Sequence, residues 1–280
     1  MSAAVKAEIE RLRAEIERHN RLYFVEGRPE ISDAEFDRLM KRLEQLEAGH
    51  PEYDSPDSPT NKVGGEPIEG FESVRHRVPM LSIENAFDEG EVREFDRRVR
   101  KLLGEKPVEY TVEYKVDGVA LALTYEDGRF VRAVTRGNGF EGDDITANAR
   151  TIGGVPLRLE TTSPPRVLEV RGEAYITNSD FAHLQAEQQR RGVQVYANPR
   201  NTAAGALKRL DPKICAAHRL RFLAHGVGYL EDTSISTHLE FLHAVAKMGL
   251  PGTPRVKAFD TIDAALEYAH EMAEDVHSLD

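Results

Sequence analysis

One cysteine, Cys215, stands in a chain of 280 residues, which excludes an internal disulfide and any multi-cysteine zinc site within it. Long apolar runs are also missing: none approaches the roughly 18 residues that a membrane-spanning helix needs. The N-terminus, MSAAVKAEIERLRAE, is charged from its start, unlike a secretory signal peptide. Positive charge is in short supply, with Lys+Arg 37 against Asp+Glu 48 and a net charge of −11. That balance excludes a protein basic over its whole surface, but not one with a local basic patch. The remaining composition, 40% hydrophobic and 30% charged, is ordinary for a soluble globular protein. A cytoplasmic enzyme of one large or two modest domains is the expectation.

A basic island does exist. Between Tyr196 and Arg221 the chain carries Arg200, Lys208, Arg209, Lys213, Arg219 and Arg221 against a single Asp211. A solvated surface and a phosphate-contacting surface fit these charges equally well.

Hydrophobic spacing organises the rest. Val5, Ile9, Leu12, Ile16 and Tyr23 recur at helical intervals until EGRPE breaks the pattern. Ser32 with Glu35 reads as a capping box, after which Phe36, Leu39, Met40, Leu43 and Leu46 line one face up to His50-Pro51. The stretch HPEYDSPDSPTNKVGGEP, dense in turn formers, reads as a linker and puts a domain boundary near residue 70, dividing the chain into 1–70 and 71–280. Beyond it Asp88 caps a helix closed by Gly104, with Val92, Phe95, Val99 and Leu102 expected to face inward. Strands are expected at 108–116, 130–136, 167–175 and 220–230, with a hairpin turn at Asp127-Gly128. Helices are expected near 179–191, 201–210, 237–248 and 261–276. Hairpin strands mixed with helices indicate an α+β domain of mostly antiparallel sheets.

The stretch VEYKVDGVA stands out. Residues two apart share a strand face, so Glu113, Lys115 and Asp117 are expected to point one way and Val112, Tyr114 and Val116 the other. Gly118, Ala120 and Ala122 leave room for close approach. A lysine amine titrates near about 10.4 in model peptides, and neighbouring cations with partial desolvation release it as a nucleophile. Carboxylates beside it work the other way unless a metal ion or a sugar hydroxyl occupies them. A plainly solvated strand face is the alternative.

Here the sequence resembles a known family. Lys-x-Asp-Gly is the nucleotidyl-transfer motif of DNA ligases and RNA capping enzymes. DAEFDRLMKRLEQLE, SPDSPTNKVG, VPMLSIENAFDE, TRGNGFEGDDITANARTI, LEVRGEAY and ANPRNTAAGALKRLDP resemble, in order and spacing, the landmarks of bacterial NAD+-dependent DNA ligases. The resemblance runs from about residue 8 to the last residue and implies a covalent nucleotidyltransferase domain preceded by a helical hairpin. By it, Lys115 is the adenylated nucleophile, while Asp117 orients the lysine and ribose or helps a Mg2+ ion. Glu113 contacts the adenine-bearing end, with Gly118 beside it. Arg136 lies on the ribose or phosphate side, and Glu173 lies against ribose hydroxyls or metal; as structure alone, Glu173 could pair with Arg171. Ser82 and Ile83 line the adenine pocket.

The hairpin resembles the module that grips the nicotinamide mononucleotide (NMN) half of NAD+, through Tyr23, Asp33, Ala34, Glu35, Phe36 and Asp37. Arg200 and Lys208 would touch the phosphates of nicked double-stranded DNA, and the protein would act as a monomer. Three positions depart from the pattern: Phe24 where His or Tyr is usual, Phe36 where Tyr is usual, and Asn138 where Asp is usual. The two rings keep their stacking surface and lose a polar tip.

After EDVHSLD the resemblance implies further parts: two lysines that hold the AMP phosphate, an OB-fold, a four-cysteine Zn2+ module, a helix-hairpin-helix array and a BRCT domain. The expectation is that this chain alone does not seal nicks, adenylates itself poorly and leaves an apolar sheet edge exposed. A non-catalytic fragment that binds NAD+ or DNA, and an ATP- or GTP-using nucleotidyltransferase, are the alternatives.

Overall fold

The computed structural model describes residues 2–24, 26, 28, 30–62, 70–231 and 234–276; the side chains of 2, 3, 24, 33, 34 and 62 lie outside the description. The expected boundary near residue 70 adjoins 63–69, which lie outside the described residues.

Helices α1 (Ser2–Phe24) and α2 (Asp33–Gly49) form the expected hairpin. Ile9, Leu12 and Ile16 meet Leu43 and Leu46 in a small core that Val5, Phe36, Leu39, Met40 and Tyr53 flank. The capping box at Ser32 and Glu35 is present, with Ser32 N–H donating to Glu35 Oε2 at 2.9 Å. Tyr23 departs from the core stripe and stands 38% exposed.

The first part of the expected linker is ordered. Residues Pro51–Tyr53 and Pro59–Lys62 are short 3-10 turns folded back on the hairpin. Glu47 holds them there: it accepts from Ser58 Oγ at 2.7 Å and from Thr60 Oγ1, and its partner Arg13 also donates to the Tyr53 carbonyl at 2.8 Å. Arg13 and Glu47 keep only 14% and 9% of their side-chain surface exposed, so neither ion retains much water. Removing one leaves the other charged and dry. Glu47→Ala is therefore expected to lower unfolding stability by about 3 kcal/mol, read as a drop in the urea midpoint; an unchanged midpoint would show that the pair contributes nothing.

After β1 (Ser73–Arg75), helix α3 (Glu89–Leu103) starts at Asp88, whose side chain accepts from Glu91 N–H at 2.9 Å. Its apolar stripe is only partly covered: Val92 and Val99 are half-buried, the other two stripe residues exposed. Phe95 is 45% and Leu102 85% exposed, and α3 has no buried residue. The periodicity of the stripe is right, and polar ties join α3 to its surroundings, among them Arg93 to Asp263 and His270 to Glu89.

Strand β2 is only Tyr110–Val112; residues 113–118 then run unpaired, and β3 (Val119–Glu126) begins where a single strand had been expected to have ended. The hairpin partner of β4 (Arg129–Thr135) is thus β3, not 108–116. The break falls at Gly118, where a Cβ would sit 2.4 Å from the Ala174 carbonyl oxygen, so the backbones touch there. The Asp127-Gly128 turn has φ of 48 and 78, the doubly left-handed geometry that suits a two-residue hairpin.

The remaining elements are β5 (Glu141–Asp143), α4 (Thr146–Ala149), β6 (Val167–Tyr175), α5 (Asn178–Arg191), α6 (Pro199–Leu207), α7 (Pro212–Ala216), β7 (Arg221–Leu230), α8 (His238–Lys247), β8 (Lys257–Phe259) and α9 (Ile262–Asp275). The expected helix at 201–210 ends at Leu207, and α7 follows separately. The main sheet has the order β4-β3-β6-β7, all antiparallel, and β2 pairs with β8 while β1 pairs with β5. One face of the main sheet buries Leu121, Leu123, Tyr125, Val170 and Phe222 in a core separate from that of the hairpin. The fold is α+β, as expected.

Candidate active site

The main sheet, the unpaired run 113–118 and α6 enclose a cleft of about 840 Å³. Lys115 stands in it because Val112 ends the β2 ladder and Gly118 restarts the chain against β6, leaving an extended segment between. Glu113, Tyr114, Lys115, Val116 and Gly118 all line the cleft, so the clean alternation expected of a strand is absent. Asp117 is not among the lining residues; its carboxylate accepts from Arg200 at 2.6 Å, and Arg200 does line the cleft.

Glu173 on β6 faces the same space. Its Oε2 is buried without a hydrogen-bond partner, and His225 Nε2 lies 4.0 Å from its other oxygen. Burial pushes its carboxyl up to about 7, against the opposing pull of Lys115 and Arg200, while Asp117 adds to the rise. Arg171 is not its partner: it donates to Glu169 at 3.4 Å, to the Pro79 carbonyl at 2.9 Å and to the Val78 carbonyl at 2.5 Å. Arg171 thereby straps the segment that carries Ser82 and Ile83 into the cleft. Arg136 reaches the same segment, donating to Ser82 Oγ at 3.3 Å. Ile83 is 73% exposed along the rim.

Glu113 is held from two sides. Thr253 Oγ1 donates to it at 2.6 Å and His238 Nε2 lies 3.4 Å away. Burial alone would raise this carboxyl; the bonds from His238 and Thr253, with the charges of His238 and His225, outweigh it and hold it below the usual range. His225, which lines the same cleft, is in turn shifted below the ordinary histidine value by its own burial, against the pull of Glu113.

The basic island splits in two. Arg200 and Lys208 line the cleft, whereas Arg219 and Arg221 turn to Asp180 at 3.6 and 3.1 Å. Arg221 also donates to the Tyr23 hydroxyl at 3.1 Å, and its guanidinium lies 5.2 Å from the centre of that ring.

The cleft therefore gathers Lys115, Glu113, Gly118, Ser82, Ile83, Arg136, Glu173, Arg200 and Lys208. It does not include the hairpin candidates. Tyr23 sits at Arg221, Glu35 serves the cap of α2, Phe36 flanks the hairpin core and Asp37 is exposed; Asp33 and Ala34 have only their helical backbone described. The sequence reading missed His225, Thr253, His238 and Arg171. His225 was within reach, because it alternates with Leu223 along β7 and both line the cleft. Thr253 and His238 were not: they meet Glu113 across 140 and 125 residues with no local pattern to mark them.

A lysine that shares a cleft with Arg136, Arg200 and Lys208, with carboxylates at hand for hydroxyls or a metal, can carry group transfer to an amine. Comparison with known proteins agrees with that chemistry. Residues 68–280 match the family described as the NAD-dependent DNA ligase adenylation domain, and residues 2–64 match the DNA ligase-like, N-terminal NAD+-binding domain. The chain is 48% identical to a DNA ligase of Brevibacillus brevis over 94% of its own length and 39% of the relative's. It is 45% identical to one of Dehalococcoides mccartyi over 98% of its length and 40% of the relative's. For one of Geotalea daltonii the figures are 44%, 99% and 42%. The chain thus spans about two fifths of the length of these relatives. By the match over most of its residues, the chain belongs to the NAD-dependent DNA ligase adenylation domain family.

Proposed function

We propose that this chain carries out the first step of NAD+-dependent DNA ligation, transfer of adenylate from NAD+ to Lys115. What carries the reading is the meeting of Lys115 with Arg136, Arg200, Lys208 and the unpartnered oxygen of Glu173 in one cleft. The neutral Lys115 Nζ attacks the adenylate phosphorus. A phosphorus–nitrogen bond forms, the pyrophosphate P–O bond breaks, and NMN departs with the bonding electron pair while Nζ loses a proton. Arg136, Arg200 and Lys208 stabilise the charge that grows on the phosphoryl oxygens. Glu173 Oε2 accepts a hydrogen bond from a ribose hydroxyl, and Glu113 orients the base end from its seat on Thr253 and His238.

Mg2+ fits these residues. Among the described residues no group of three or more His, Cys, Asp or Glu could form a metal cage. Mg2+ asks for less: one or two carboxylates, substrate phosphate and water. Glu173, with its unpartnered Oε2, is the cleft carboxylate in place, and Asp117 would join it only by releasing Arg200. When bound there, the ion would neutralise phosphate charge.

The hairpin takes the NMN half, with Tyr23, Asp33, Ala34, Glu35, Phe36 and Asp37 as its contacts. For one dinucleotide to span both parts, the hairpin has to leave its present seat. That seat is polar: Arg21 to Glu160, Arg129 to Asp57 at 2.5 Å, and Arg221 to Tyr23 at 3.1 Å. The adenylate would then pass to the 5′-phosphate of nicked duplex DNA in replication and repair. The reading places a monomer in the cytoplasm; among the described residues no helix is long and apolar enough to cross a membrane.

The test uses two labelled cofactors. After incubation with Mg2+ and denaturation, adenine-labelled NAD+ is expected to leave label on the chain and release NMN. Label acquired from ATP instead, with none from NAD+, would overturn the reading.

A further inference from the structure

Asn148 lies in TRGNGFEGDDITANARTI, a stretch of which the mechanism above uses only Arg136. It is fully buried on α4, and its Nδ2 donates to two carbonyls, Leu207 at 2.7 Å and Arg209 at 2.8 Å. Those carbonyls flank Lys208. Lys208 is the residue at which α6 ends, with φ −92 and ψ 11, and its own N–H goes to the Ala206 carbonyl. The last carbonyls of a helix have no partner within it, so the chain beyond is free to leave in several directions. Here one side chain takes the carbonyls on both sides of the cap and fixes the direction.

The amide works only as a donor. Asn148 Oδ1 is buried without a partner among the described residues. Turning the amide over would set that oxygen against two carbonyl oxygens, which repel it, so the donor orientation is forced. Asn148 is itself anchored: its carbonyl accepts from Thr151 Oγ1 at 2.7 Å. Leu207, beside Lys208, is buried at 1% exposure and gives the cap a second anchor. Lys208 then enters the cleft that holds Lys115 and Arg200.

We propose that Asn148 is a positioning residue for Lys208: it locks the backbone on either side so that the ammonium meets the phosphate of a nucleotide bound in the cleft. A lysine side chain has four rotatable bonds and loses much freedom on ordering, so where its backbone starts decides what it can reach. The inference rests on the nucleotide reading of the cleft. It goes beyond that reading by naming what aims one of the cations.

The experiment measures AMP and adenosine binding by calorimetry to the chain and to Asn148→Ala, Lys208→Ala and the double variant, each with its melting temperature. Lys208→Ala is expected to weaken AMP about ten-fold, and Asn148→Ala about five-fold. The double variant is expected to match Lys208→Ala within about two-fold, because residues that act through one another are not additive. Adenosine, which lacks the phosphate, is expected to bind every variant alike. If the double variant loses a further five-fold, or if Asn148→Ala weakens adenosine as much as AMP, Asn148 is only structural and the inference falls. If Lys208→Ala binds AMP like the unaltered chain, the phosphate role of Lys208 fails, and the inference with it. Should Asn148→Ala not fold, Asn148→Ser keeps one donor and is expected to show the same non-additivity.

Discussion

Lys115→Ala is expected to abolish covalent nucleotide on the chain while leaving adenosine binding within about two-fold of the unaltered protein. The expected loss is at least about 10⁴-fold, because a covalent intermediate cannot form without its nucleophile. Lys115→Arg is expected to fail as completely. A guanidinium keeps the charge and much of the length but offers no free lone pair at neutral pH. This pair of variants separates two roles for the residue. Were Lys115 only a cation that holds phosphate, arginine would restore most of the label. Counting acid-labile adenylate on the denatured chain decides between them.

Glu173→Gln is expected to act in opposite directions on activity and stability. Burial raises the Glu173 carboxyl to about 7, so the folded chain holds this proton more tightly than an unfolded chain does, whose carboxyl titrates at the ordinary 4.5. Between those two values the folded state binds more protons, and its stability falls as pH rises. The penalty is absent below about pH 4.5, complete above about pH 7, and removed by a glutamine, which never ionises. Glu173→Gln is therefore expected to melt several degrees higher than the unaltered chain at pH 8, with the difference vanishing near pH 4.5. Its adenylation is expected to fall about 100-fold, since an amide is a weaker acceptor for a ribose hydroxyl and a poor Mg2+ ligand. A melting difference that persists at low pH would assign the effect to packing. Activity that survives the substitution would remove Glu173 from the mechanism.

Stability and function pull apart at this residue because an empty, buried carboxylate is costly to keep. Its oxygen has no partner among the described residues, and such an orphan is tolerated where a ligand supplies the partner. Glu113 makes the contrast. It is equally close to the cleft, but Thr253 and His238 already hold it ionised. The first group waits for its hydroxyl or metal, while the second is set in place beforehand.

Local chemistry was legible in the sequence wherever a few neighbouring residues decide the structure. The Ser32–Glu35 box, the Asp88 cap, the Asp127-Gly128 turn and the strand at 167–175 all lie where the residues put them. What failed was tertiary. Residues 108–116 read as one strand, yet the ladder ends at Val112, and the next strand starts only at Val119, beside Gly118 pressed against the Ala174 carbonyl. Strand propensity continues through that break; the pairing that restarts the strand at Val119 comes from β6, far along the chain. The stripe on α3 had the right period, but a pattern does not supply a neighbour to cover it. In the site, Lys115 was marked by its motif and Glu173 by the resemblance of LEVRGEAY to a family landmark. The Asp117–Arg200 pair, by contrast, joins residues 83 apart and left no trace in either segment. Tyr23 was placed correctly on its helix, but only the structure shows it turned toward Arg221.

One measurement reaches the central claim directly. The chain is incubated with NAD+ and Mg2+, digested, and the adenylate-bearing peptide sequenced by mass spectrometry. Two amines line the cleft, those of Lys115 and Lys208, so the answer is not built into the method. The adduct is expected on Lys115, as an acid-labile phosphoramidate. Adenylate found on Lys208, or on any residue outside the cleft, would contradict the account.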